Sequence, residues 1–94
     1  MFSIVITRAA ERAAKKLPET VRKEIVAHAE RLKGNPYQGE KLTGPLHFLY
    51  SLHFTVSGTH YRIAYSVDEE KKMIVVYLVG SREGFYKRLR RALK

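Results

Sequence analysis

The sequence predicts an α+β fold: an N-terminal strand, an αα-hairpin, then an antiparallel three-strand meander packed on the helices, with a short basic C-terminal helix. Three observations predict it. Apolar residues recur at helical spacing over residues 8–33, and stretches of strand character follow at about 47–56, 59–67 and 73–79. The chain has 94 residues, too few for a second hydrophobic core, so residues 1–94 read as a single domain.

Phe2, Ile4 and Ile6 alternate with Ser3, Val5 and Thr7, the pattern of a short strand with one buried face. Thr7 is placed to cap a helix from Arg8 to about Lys16, in which Ala9, Ala10, Ala13, Ala14 and Leu17 share one side. Pro18 breaks that helix and suits the first turn of the next, which runs to about Lys33 with Val21, Ile25, Ala29 and Leu32 on one stripe. Gly34 and Pro36 stop it. Residues 34–46 hold three glycines and two prolines and read as the longest irregular stretch. Met73 to Val79 is apolar almost without alternation, as in a strand covered on both faces. After Gly80, residues Arg82 to Leu93 suit a last amphipathic helix using Phe85, Tyr86, Leu89 and Leu93.

The middle strands set their own register. If Ser57-Gly58 is a two-residue hairpin turn, residues whose numbers sum to 115 stand opposite each other. Phe54 then faces Tyr61, Leu52 faces Ile63 and Tyr50 faces Tyr65, three apolar pairs on one side. The other side, read as an open face, sets His53 opposite Arg62, Thr55 opposite His60 and Ser51 opposite Ala64. A histidine beside an arginine suits a phosphate: guanidinium offers a fork of donors, and imidazole titrates near neutral pH. A like charge beside it favours the neutral, basic form of His53. Ordinary solvent-facing polarity would give the same residues.

Composition narrows the function classes. Eighteen Lys and Arg against nine Asp and Glu leave a net charge of +9, and residues 82–94 hold six cations to one anion. Such a surplus suits a polyanion, either nucleic acid or an acidic protein, though a solvated helix face also carries charge for solubility. The chain lacks cysteine, and its four histidines include no His-x-x-x-His pair, so no metal site is expected. No apolar run reaches the ~18–20 residues of a membrane span, so a soluble cytoplasmic protein without membrane contact is expected. A domain of this size predicts an open cleft in place of an enclosed cavity.

Lys41-Leu42-Thr43-Gly44, then Gly58 with Tyr61-Arg62-Ile63-Ala64-Tyr65, then Val79-Gly80-Ser81-Arg82-Glu83 with Tyr86 follow in order. In these pieces the chain resembles the RelE branch of the RelE/ParE toxin superfamily, small toxins of type II toxin-antitoxin systems. The resemblance implies a ribosome-dependent, metal-independent endoribonuclease, an mRNA interferase that needs no cofactor and attacks a phosphate with the adjacent ribose 2′-OH. It also implies a cognate antitoxin protein, and mRNA and rRNA in the ribosomal A site, as partners.

By the same resemblance, Arg62 stabilises the phosphate, Arg82 reaches the leaving oxygen or that phosphate, and Tyr86 stacks on or orients a base. RelE carries two lysines where this chain has Ser51 and His53, which leaves His53, or His60 beside Arg62, as the acid or base. The candidate catalytic set is therefore His53, Arg62, Arg82 and Tyr86. Lys41, Ser51, His60, Lys87, Arg88, Arg90 and Arg91 are candidate RNA contacts. The superfamily also holds ParE-like toxins that poison DNA gyrase, and loss of both lysines would suit a degenerate antitoxin-binding member.

Overall fold

A computed structural model describes all 94 residues, Met1 to Lys94. Thr7 joins the first two elements, β1 (Ser3–Ile6) and α1 (Arg8–Lys15). Its hydroxyl accepts from the Ala10 N–H at 3.2 Å, satisfying one of the donors that a helix start leaves free. Its backbone N–H donates to Val76 O at 3.1 Å and its hydroxyl to Tyr77 O at 3.3 Å, so the same residue pins the helix start to the sheet. The second helix, α2, spans Glu19–Gly34.

The region expected to be irregular is instead ordered in short pieces: a 3₁₀ turn at Pro36–Gln38, a two-residue strand β2 (Glu40–Lys41) and a 3₁₀ turn at Gly44–Leu46. Tyr65 anchors it. Its buried hydroxyl donates to Pro36 O at 2.7 Å and accepts from the Gly39 N–H at 3.0 Å. The strand expected from about residue 47 begins later, as β3 (Tyr50–Val56). The cause is turn chemistry: Gly44 sits at φ +66°, and His47 and Leu49 donate back to Gly44 O and Leu46 O.

β3, β4 (Thr59–Asp68) and β5 (Met73–Ser81) form the expected antiparallel meander. Ser57 and Gly58 both have positive φ, 50° and 80°, which matches the twist of a two-residue hairpin, and every β3–β4 pair obeys the predicted register. The meander is not the whole sheet. β1 adds parallel to β5 and β2 adds antiparallel to β3, giving five mixed strands in the order β1-β5-β4-β3-β2.

Two hydrophobic clusters lie on the sheet. Ala10, Leu32, Ile63, Tyr65, Ile74, Val76 and Val79 form the core beneath α1 and α2. Leu49, Ala64, Leu78, Phe85 and Leu89 form a second one, beneath the last helix, α3 (Phe85–Ala92). The strand face read from sequence as open is thus covered in part by α3. The helices form two layers instead of one, which explains why β5 shows so little alternation. α3 also starts three residues later than Arg82, because Gly84 at φ +66° turns the chain before the helix begins.

Candidate functional site

The part of that face left uncovered carries the site. His53 on β3 stands opposite Arg62 on β4, and Arg62 stands opposite Gly80 on β5. α3 lays Tyr86 over this row, with the guanidinium carbon of Arg62 5.0 Å from its ring centroid. Toward the hairpin turn, His60 accepts from Thr55 or donates to it at 3.1 Å, and its carbonyl receives the Arg82 N–H at 2.9 Å. His60 and Arg82 line an open depression of about 380 Å³ with Gly58, Thr59, Ser81 and Glu83. At the other end of the strands, Leu42, Thr43 and Leu46 with Tyr86 and Arg90 line a second one of about 300 Å³.

The surroundings of His53 favour its neutral form. Loss of hydration on its sheet-facing side lowers its pKa most, the Arg62 charge lowers it further, and Glu40 acts in the opposite direction. The imidazole edge remains exposed, so the group is accessible. Its Nε2 lies 3.1 Å from the Ser51 hydroxyl.

The structure brings His53, Arg62, Tyr86, His60 and Arg82 onto one face and sets Arg90 beside Tyr86 at its edge, whereas Lys87 and Arg91 lie exposed on the outer side of α3, away from Phe85 and Leu89. Three further expected RNA contacts are turned away from the face or engaged elsewhere. Ser51 is 1% exposed, sealed under the second core, and its hydroxyl serves His53. Lys41 pairs with Tyr50, whose side chain points to the opposite face from His53, and its ammonium lies 4.8 Å from that ring centroid. Arg88 is half-buried and donates to Ser81 O and Glu83 O at 2.8 and 3.1 Å. Sequence reasoning missed Glu40, which β2 delivers opposite Ser51, and the slot of Leu42, Thr43 and Leu46. The glycine-proline punctuation around residues 39–45 was the available signal for a formed loop there.

No three His, Asp or Glu side chains come together as a metal site requires. The four ion pairs all lie on α2 or in the β4–β5 turn, so Arg62, Arg82 and the cations of α3 have no carboxylate partner. A row of unpaired cations beside an imidazole and an aromatic ring can hold a nucleic-acid phosphate and stack a base.

The family model for the ParE-like toxin of type II bacterial toxin-antitoxin systems matches residues 4–90. The chain belongs to this toxin family. The toxin is similar in structure to the chain in the Mycobacterium tuberculosis RelBE2 toxin-antitoxin complex, with TM-score 0.74 and 29% identity over 86% of this chain and 98% of that one. It is similar to the Escherichia coli RelBE complex at TM-score 0.73 and 24% identity, over 88% of this chain and 99% of that one. A free double-arginine mutant of E. coli RelE gives TM-score 0.78 at 21% identity, over 99% and 98% of the two chains. No curated protein matches the sequence. No helix of the toxin is long and apolar enough to cross a membrane.

Proposed function

We propose that the toxin is a ribosome-dependent mRNA endonuclease of the cytoplasm that works without a cofactor. The observation that carries this reading is the shared face: His53 and Arg62 stand side by side with Tyr86 over Arg62, Arg82 lies toward the hairpin turn of the same face, and neither arginine is in an ion pair. His53 takes the proton of the ribose 2′-OH as that oxygen attacks the adjacent phosphorus. Arg62 and Arg82 hold the phosphate while negative charge builds on its oxygens. The bond to the 5′-oxygen breaks, and Arg82 or His60 supplies the proton this oxygen needs. The products are a 2′,3′-cyclic phosphate and a free 5′-OH. Tyr86 supports Arg62 and offers its ring edge to a base over the slot of Leu42 and Leu46.

The test is cleavage of end-labelled mRNA on programmed ribosomes, comparing the native toxin with His53→Ala and characterising the new ends. A loss of about 100-fold, with cyclic phosphate ends from the native protein, is expected for removal of a general base. No cleavage by folded native toxin would defeat this reading. A gyrase-directed toxin is the second reading, favoured by the ParE-like description of the matching family. It would show as intact transcripts with double-strand DNA breaks on induction.

The similar M. tuberculosis and E. coli proteins were determined as toxin-antitoxin complexes. By analogy, the partner of this toxin is a cognate antitoxin whose acidic residues meet the unpaired cations of α3. Its affinity is expected to fall with added salt; equal affinity at low and high salt would exclude that surface.

A further inference from the structure

We propose that Arg88 is a positioning residue that presents Arg82 to the scissile phosphate, and is not itself an RNA ligand; this rests on the nuclease reading of Arg82. The Arg88 side chain lies on the inner side of α3, its guanidinium carbon 5.9 Å from the Phe85 ring centroid. One nitrogen, Nη2, donates to both Ser81 O and Glu83 O, the carbonyls on either side of Arg82. Arg82 itself donates its N–H to His60 O at 2.9 Å and accepts from the Phe85 N–H at 3.2 Å. The backbone through Arg82 is therefore tied on both sides, while its side chain is exposed and makes no hydrogen bond in the protein.

Gly80 completes the device. A Cβ built on it would lie 2.8 Å from Nη1 of Arg88, closer than such contacts occur, whereas its backbone is one any residue adopts. A side chain there would force the Arg88 guanidinium to move from its place. The guanidinium lies over the strand in the gap that Gly80 leaves, and from there reaches both carbonyls. A lysine would keep the charge but lacks the flat guanidinium that lies by the Phe85 ring and over Gly80.

Three variants test this: Arg88→Ala, Arg88→Lys and Gly80→Ala. Single-turnover cleavage on programmed ribosomes is expected to slow roughly 10- to 100-fold at saturation in each, as misplacement of a transition-state contact does. Half-saturation should stay within about twofold of the native value. Adding any of them to Arg82→Ala should cost nothing more. Amide hydrogen exchange at Arg82 and Phe85 should accelerate in all three while the sheet stays protected. Native cleavage by Arg88→Lys, losses that multiply with Arg82→Ala, or weaker half-saturation at an unchanged rate would each overturn the proposal. The exchange measurement separates two failures: unchanged exchange at Arg82 in Arg88→Ala removes the clamp, whereas a native toxin that cuts no RNA removes the nuclease reading beneath it.

Discussion

The Arg62 guanidinium carbon lies 5.0 Å from the centroid of the Tyr86 ring, joining a residue of the central strand β4 to one on the last helix. The ring gives the cation a flat partner that leaves its N–H groups free for a phosphate. Tyr86→Phe keeps the ring, and cleavage on programmed ribosomes should stay within about threefold of native, while Tyr86→Ala should lose roughly tenfold or more. Equal losses in both variants would place the contribution in the hydroxyl instead.

The pH dependence follows from His53. Its folded pKa lies below the ordinary histidine value, so with His53 as the proposed base, activity is expected to fall only as pH drops through that lowered value. Arg62 contributes to the lowering, so replacing it with Ala should move the acid limb of the rate profile upward. Glu40 opposes the lowering, and Glu40→Gln should move the limb down. Limbs that move the other way would show that a different group titrates.

Leu89 is 0% exposed at the centre of the cluster between α3 and the sheet. Leu89→Ala is expected to cost about 2–5 kcal/mol in denaturant unfolding, because it leaves a cavity in a true core. A cost under about 0.5 kcal/mol would mean that α3 rests on the sheet without a packed interface.

Tyr65 is fully buried and its hydroxyl serves two backbone groups of the 36–39 turn. Tyr65→Phe keeps the packing but strands the Pro36 carbonyl and the Gly39 amide, at a cost of about 1–3 kcal/mol. Thermal or chemical unfolding measures it directly, and unchanged stability would show that water replaces the hydroxyl.

The register of the β3–β4 hairpin was legible to the residue. Its turn and its strands are neighbours in sequence, and a slip of one position would turn Phe54, Leu52 and Tyr50 out of the core. From that register alone, His53 and Arg62 fall side by side. The cover on the other face was not legible. Leu49, Ala64 and Leu78 look unremarkable among Ser51, His53 and Arg62 until α3 brings Phe85 and Leu89 against them. Ser51 was misread for that reason, since a small polar residue on a strand gives no sign of whether a helix will lie over it. The contacts of Arg88 were not legible either: its charge is plain in the sequence, but the two carbonyls it serves come within reach only in the folded chain.

By itself, then, the sequence determined the order of the longer strands and helices, the hairpin register and the pairing of a histidine with an arginine. These depend on side-chain period and turn chemistry, which act between near neighbours. Tertiary structure decided that β1 joins β5 in parallel, that α3 covers part of the second face, and which cations stay free. Those outcomes depend on backbone groups and apolar surfaces far apart in the chain. Their pairing has no local signature, because any exposed strand edge and any apolar helix stripe can satisfy the same need.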